Sequence, residues 1–128
     1  MGTQMGRLTT LFIKFNKNKM LQDVHTAKIS IPVVAAPGTT AVIAAISDGY
    51  IYVHEIMGDL DVNGTLTVKA GSTSLGSFDL DAGQGITLTD EPGNPGVPRF
   101  QCKPGQALNF TLSAGSTFKG TVDYSIRY

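Results

Sequence analysis

The chain has 128 residues, a length that corresponds to one domain. Its ten basic and ten acidic residues give a formal net charge of zero, which argues against a dedicated nucleic-acid binder, because such proteins gain affinity by neutralising phosphates. Charged residues make up only 16% of the chain, so we expect other protein subunits to cover part of this lightly charged surface.

Residues 1–27 have no regular strand pattern and are predicted to form an extended N-terminal arm. Basic residues beside phenylalanines can bind nucleic acid through charge and stacking. A segment that docks on a neighbouring protein subunit explains the same residues, and the zero net charge favours this second hypothesis. The candidate partner-binding residues of the arm are Leu11, Phe12, Ile13, Lys14, Phe15 and Lys17.

Residues 28–128 are predicted to form one domain, because apolar and polar residues alternate there in short runs, as in strands with one buried face. Pro32 lacks a backbone donor, which places the first strand, residues 28–34, at a sheet edge. Residues 40–46 are apolar on both faces and predict a strand covered on both sides. The pair Asn63-Gly64 predicts a tight hairpin turn between its neighbouring strands.

The last two runs alternate most regularly, over residues 108–112 and 118–128, and predict a C-terminal hairpin that turns at residues 114–116. Residues 90–98 contain three prolines and predict a long loop. The other predicted strands are residues 51–54, 65–69, 77–80, 85–88 and 99–102. The pattern predicts an all-β fold, an antiparallel β-sandwich of about eight strands.

Residues 59–64, Asp-Leu-Asp-Val-Asn-Gly, reproduce the first half of an EF-hand calcium loop. The twelfth position of such a loop requires a bidentate Glu, and here it is Ala70. The flanking residues also predict strands where the motif requires helices. We therefore expect an acidic turn, with no metal site and no cofactor.

Few residues could carry catalysis. His25 and His54 are far apart in sequence, and neither belongs to a metal-binding spacing or a nucleophile motif. His54 alternates onto the outer face with Tyr52, where a surface or hydrogen-bonded role is expected. The sequence predicts that the protein is not an enzyme.

Signals for membranes or secretion are also not evident. No apolar run approaches the ~20 residues that span a bilayer, and the first residues do not form a secretory signal. The lone Cys102 has no partner for an internal disulfide and is expected in the core. We expect a protein made in the cytoplasm with no membrane partner.

Two segments near the C-terminus resemble the C-terminal signature of small virion proteins of tailed bacteriophages. They are residues 105–113, Gly-Gln-Ala-Leu-Asn-Phe-Thr-Leu-Ser, and residues 120–124, Gly-Thr-Val-Asp-Tyr. Further matches are residues 51–53, residues 65–72 and Phe100. The resemblance extends over about residues 39–128. The arm and the proline-rich loop at residues 90–98 depart from the pattern.

The resemblance implies a jelly-roll-like sandwich, often a homotrimer, that acts as a capsid decoration (cement) protein. It implies that the major capsid protein and further copies of this chain are the partners, with a location on the capsid surface of the virion after assembly in the host cytoplasm. The alternative is a receptor- or glycan-binding head of a phage fibre or spike. Its candidate sugar-binding cluster is Tyr50, Tyr52, Asp59 and Asp61.

Overall fold

The structure, a computed structural model, describes residues 25–90 and 96–128. These residues form nine strands in two antiparallel sheets. The strands are β1 (Ile29–Ala35), β2 (Gly38–Ile43), β3 (Tyr50–Leu60), β4 (Gly64–Ala70), β5 (Thr73–Leu80), β6 (Ile86–Leu88), β7 (Phe100–Cys102), β8 (Leu108–Leu112) and β9 (Phe118–Arg127). Within the described ranges, no helix is long and apolar enough to cross a membrane. The predicted all-β sandwich is confirmed, with nine strands where about eight were expected.

The two sheets contain different strands. In the β9 sheet the order is β1-β9-β3-β6, and β7 also pairs with β3. In the β8 sheet the order is β2-β8-β4-β5. The long strands β3 and β9 pair along almost their whole length, and they form the centre of the β9 sheet.

Alternate side chains of each strand point between the sheets, because successive residues of a strand face opposite sides. Phe118, Val122 and Ile126 of β9 follow this rule and are buried, while Lys119 between them is exposed. The remaining buried apolar residues are Val33, Ala35, Ile43, Ile51, Val53, Ile56, Leu60, Leu66, Val68, Ala70, Leu80, Leu88, Phe100, Cys102, Leu108, Phe110 and Leu112. One continuous core therefore holds both sheets together.

The predicted C-terminal hairpin is wrong. β8 and β9 lie in different sheets and do not pair with each other. Residues 113–117 carry the chain across the end of the sandwich. Ser116 is fully buried in this connection, and its hydroxyl donates to the carbonyl of Ser113 at 2.8 Å.

The predicted hairpin at Asn63-Gly64 is also wrong, because β3 and β4 belong to different sheets. The tight turn lies between β4 and β5, where Ala70 pairs with Thr73. Gly71 there adopts a φ of 60°, a left-handed conformation that suits glycine. Gly71 and Ser72 therefore form the two-residue turn, in place of the predicted Asn63-Gly64.

Two further predictions concern sheet edges. The edge position of the Pro32 strand is confirmed, because β1 pairs only with β9. The strand predicted at residues 40–46 as covered on both sides is instead the edge strand β2, and most of its residues are exposed or half-buried. Ala41 of β2 is exposed and Val42 is half-buried, so neither face of the strand is fully covered.

Pairing with β9 starts before β1. His25 forms an isolated antiparallel bridge with Arg127, and the backbone amide of Thr26 donates to the carbonyl of Ile126 at 2.8 Å. Residues 25–27, which were predicted to belong to the arm, thus lie along the end of β9. The predicted docking residues Leu11, Phe12, Ile13, Lys14, Phe15 and Lys17 lie outside the described residues.

Candidate functional site

A β-bulge in β3 shapes the outer face of the β9 sheet, the side that points away from the core. Val53 pairs with Tyr124 and Glu55 pairs with Asp123, so His54 is an extra residue on β3. His54 shares the outer face with Tyr52, as the alternation predicted. It is nevertheless only 7% exposed.

Both ring nitrogens of His54 have side-chain partners. Nδ1 lies 2.8 Å from Oδ1 of Asp90, and Nε2 lies 2.8 Å from Oγ of Ser125. The other carboxylate oxygen of Asp90 accepts a hydrogen bond from the backbone amide of Gly96 at 3.1 Å and lies 4.0 Å from Nζ of Lys28. Through these contacts, Asp90 connects the end of β6, the start of β1 and the centre of the β9 sheet.

Ser125, His54 and Asp90 have the connectivity of a hydrolase triad, in which a serine is activated by a histidine that a carboxylate orients. Such a serine must also be open to a substrate carbonyl beside donors for the oxyanion. Ser125 is 4% exposed, and it lies within β9 opposite Tyr52. A substrate carbonyl therefore has no access to Oγ of Ser125. The network instead provides hydrogen-bond partners for buried polar groups, and it holds the chain at Asp90 against the β9 sheet.

The triad-like network could not be found from sequence spacing. Asp90 lies 36 residues and Ser125 lies 71 residues from His54. The available signal was the hydrogen-bonded role expected for His54 on the outer face. Its partners depend on strand pairing that the alternation did not specify.

An aromatic group extends from this network towards the end of β9. The rings of Tyr52 and His54 meet edge to face at 6.5 Å, and the ring of His25 lies 5.7 Å from that of Tyr52. Nη1 of Arg127 donates to the Tyr52 hydroxyl at 2.9 Å. His25 therefore lies against the ring of Tyr52 at the end of the sheet, and it is exposed.

The four residues of the predicted sugar-binding cluster are not brought together. Tyr52 and Asp59 are both on β3, but they are seven positions apart, which corresponds to roughly 23 Å along a strand. Asp61 accepts a hydrogen bond from the backbone amide of Thr117 at 2.7 Å. This arrangement does not form a glycan platform.

The calcium-like motif is used for backbone hydrogen bonding. Asp61 holds the connection before β9, and Oδ1 of Asn63 accepts from the backbone amide of Ala82 at 2.7 Å. In the parts of the chain that the structure describes, no three His, Cys, Asp or Glu side chains form a group that could hold a metal ion. These oxygens stabilise one end of the sandwich.

An uncharged row crosses the outer face of the β9 sheet from edge to edge. Thr121 of β9 pairs with Pro32 on one side and with Met57 on the other, and Met57 pairs with Thr87 of β6. All four side chains point outward, because their strand neighbours, including Ile56 and Val122, are buried. Val34 stands beside this row on β1. We call these five residues (Pro32, Val34, Met57, Thr87 and Thr121) the uncharged band.

The uncharged band exposes apolar surface. Val34 is 67% exposed and Met57 is 47% exposed. Charged residues lie in the rows on both sides of Met57: Asp59 and Lys119 pair in one row, which ends at Val34 on β1, and Glu55 and Asp123 pair in the other. An apolar strip with a charged border is the usual composition of a protein contact surface.

Cys102 lies in the core, as predicted. It is fully buried on β7 opposite Ile51, and it is a free thiol. Burial removes water from the thiolate and raises the pKa of Cys102 to about 11. The thiol is therefore suited to packing and unsuited to nucleophilic chemistry.

Comparison with known proteins finds a distant structural similarity. No protein-family model matches the chain, and no curated protein matches it. A solved structure from Bacillus endospore appendages, described as a novel family of disulfide-linked pili, is similar with a TM-score of 0.48 and 14% sequence identity. The match covers 92% of this chain and 97% of that chain.

Proposed function

We propose that the protein is a non-enzymatic structural subunit, a capsid decoration (cement) protein that binds the major capsid lattice and further copies of itself. The observation that carries this proposal is the uncharged band on the outer face of the β9 sheet. A row that exposes Met57 between charged rows, with the exposed Val34 at the end of one of them, is suited to contact with another protein. The protein-docking arm predicted from the sequence provides a second contact element.

A single contact of this kind is weak, which favours binding through several contacts at once. Burying one large apolar side chain contributes roughly 1.5–3 kcal/mol, so Val34 and Met57 alone would give a weak contact. Linking several such contacts in one oligomer raises the overall affinity without any new contact, since later binding events become intramolecular. A homotrimer on a symmetric shell fits this requirement.

We also propose a jelly-roll topology, which the connections between strands support. The chain changes sheet at almost every connection, and only the β4–β5 and β6–β7 connections stay within one sheet. Repeated crossing between two sheets is a feature of double Greek-key sandwiches, which include viral capsid domains.

Two surface variants of the full-length chain test the role of the band. Met57→Lys places a charge in the band, whereas Val62→Lys makes the same kind of change at a residue that is 43% exposed in the connection after β3. We expect Met57→Lys to reduce self-association and shell binding at least tenfold in sedimentation assays, while Val62→Lys behaves as the unmodified protein. Equal binding by both variants would overturn the role of the band.

Imaging tests the location. Cryo-electron microscopy of particles that carry the protein should show many copies in a regular lattice on the shell. A few copies confined to a fibre or spike would favour the receptor-binding alternative and overturn the decoration proposal.

A further inference from the structure

The neutral chain consists of two oppositely charged parts. Residues 1–24 contain four basic residues and one acidic residue, Asp23, which gives a formal net charge of +3. Residues 25–128 contain six basic and nine acidic residues, which gives −3. The overall charge of zero is therefore the sum of two opposite charges, and the N-terminal segment and the sandwich are complementary in charge. The four basic residues of the segment are Arg7, Lys14, Lys17 and Lys19.

Two acidic side chains face each other beside the uncharged band. Glu55 of β3 and Asp123 of β9 are direct cross-strand neighbours, and both point outward. Like charges at directly opposite positions destabilise a sheet. Among residues 25–90 and 96–128, neither carboxylate has a basic side chain within ion-pair distance, since the ion pairs there involve Asp90. A positively charged partner at this position would relieve the repulsion.

We propose that the outer face of the β9 sheet, formed by the uncharged band with Glu55 and Asp123, binds residues 11–19 of a second copy of the chain. This inference rests on the proposed assembly function and identifies its docking surface. In an extended segment, Leu11, Ile13, Phe15, Lys17 and Lys19 share one side, with three apolar residues followed by two basic ones.

The face matches the step from apolar to basic residues in this segment. Along β9, Thr121 of the uncharged band is followed two residues later by Asp123, a step of about 6.6 Å on the same side of the strand. A segment lying along the strands can therefore place Phe15 on the row of Thr121 and Lys17 on the acidic pair, with Ile13 one row further along, level with Val34 and Lys119. Apolar contact and charge neutralisation then occur together.

The position of the chain's own N-terminus favours a second copy. His25 pairs with Arg127, four residues beyond Asp123, which places the start of the described chain about 13 Å from the acidic pair. The chain would have to reverse there to reach its own outer face. Only five residues, 20–24, separate the docking segment from His25, and any such reversal would have to lie within them.

Charge reversal in the full-length protein tests the inference. The face variant carries Glu55→Lys and Asp123→Lys, the segment variant carries Lys17→Glu and Lys19→Glu, and Asp48→Lys is the control at an exposed carboxylate in the β2–β3 connection. In sedimentation velocity at low salt, we expect each double variant alone to associate at least tenfold more weakly, and the control to be unchanged. A one-to-one mixture of the two double variants pairs each altered segment with an altered face and each intact segment with an intact face, so it should regain hetero-association. Combining all four substitutions in one chain should restore self-association.

The outcomes separate the inference from the proposed function. If the unmodified protein associates but the face variant associates equally well, the docking surface is wrong and the assembly function stands. If the unmodified protein neither associates nor binds shells, the proposed function fails. If the unmodified protein is a monomer in which Met57 resists peroxide oxidation until the face variant exposes it, the chain's own segment occupies the face and the second-copy assignment is overturned.

Discussion

Phe110 of β8 and Phe118 of β9 meet edge to face across the sandwich, with ring centroids 5.5 Å apart and planes at 88°. Both side chains are fully buried. Such an arrangement contributes about 0.5–1.5 kcal/mol beyond the burial of the two rings. The pair thus joins the central strands of the two sheets at the point where the chain crosses between them.

Removing one ring should strongly destabilise the fold. We expect Phe118→Ala to lower the free energy of unfolding by about 3–5 kcal/mol, because a large buried side chain is lost and a cavity remains. Urea unfolding followed by circular dichroism measures this change. The control is Tyr128→Ala, at an aromatic residue that is 53% exposed, for which we expect a change within about 0.5 kcal/mol. Similar effects of the two substitutions would contradict the packing described for Phe118.

Two facing glycines allow β3 and β9 to approach each other beneath the Phe118 ring. Gly58 pairs with Gly120, and a Cβ built on Gly120 would overlap the carbonyl oxygen of Met57. We therefore expect Gly120→Ala to destabilise the protein by about 1–3 kcal/mol, the usual cost of overpacking. Gly85→Ala is the matched control, since a Cβ built on Gly85 would lie 3.9 Å from the carbonyl oxygen of Gly58, an ordinary contact distance. Equal midpoints for both variants in urea unfolding would show that the strands can separate at no cost.

The strands were predictable from the sequence, but their partners were not. Alternation identified residues such as Leu108 and Val122 as inward-facing, because the period of two depends only on local geometry. Whether two successive strands pair or lie in opposite sheets depends on packing between distant residues. For this reason the glycine at position 115 predicted a hairpin between β8 and β9. In the structure Gly115 does turn the chain, with a φ of 83°, but the chain crosses between sheets there.

The outer face illustrates the same limit. The sequence placed Tyr52 and His54 together on one face, and this is confirmed. The bulge that inserts His54, and the pairing of Glu55 with Asp123, depend on the register of β3 against β9. No local pattern fixes that register, so neither the buried network nor the facing carboxylates could be predicted.

The buried network predicts a stability effect at Ser125. Ser125→Ala removes the partner of Nε2 in His54, and leaving a buried polar group unpaired costs about 1–3 kcal/mol. Ser77→Ala is the matched control, because the Ser77 hydroxyl pairs with that of Thr67 at the surface, at 2.9 Å. We expect the control to change the free energy of unfolding by no more than about 0.5 kcal/mol. Equal losses in the two variants would show that burial adds nothing to the His54–Ser125 contact.

The same Ser125→Ala variant tests the absence of catalysis. Because Ser125 is 4% exposed and His54 is 7% exposed, we expect the unmodified protein and the variant to hydrolyse p-nitrophenyl acetate at the same background rate. A rate above background that disappears in Ser125→Ala would identify the network as a catalytic triad. That result would contradict the non-enzymatic part of the proposed function.

Cys102 should resist thiol reagents in the folded protein. Its side chain is fully buried and its pKa is raised to about 11, so both access and thiolate formation are suppressed at neutral pH. We expect reaction with Ellman's reagent only under unfolding conditions. In a Cys102→Ala background, Gln101→Cys provides the control, since Gln101 neighbours Cys102 on β7 and is exposed. Rapid labelling of Cys102 in the native protein would contradict its burial.

The raised pKa of Cys102 also predicts how stability depends on pH. The unfolded thiol ionises near the ordinary cysteine pKa of 9.0, whereas the folded thiol keeps its proton until the pH approaches about 11. Between these values the unfolded state binds fewer protons than the folded state, so the free energy of unfolding falls as the pH rises. The contribution of Cys102 is therefore fully present below pH 9.0 and is lost progressively towards pH 11. Urea unfolding of the unmodified protein and of Cys102→Ala, compared from about pH 8 upward, should show that the difference in stability shifts against the unmodified protein once the unfolded thiol ionises. A difference that stays constant over this range would mean that the thiol ionises equally well in the folded and unfolded chains.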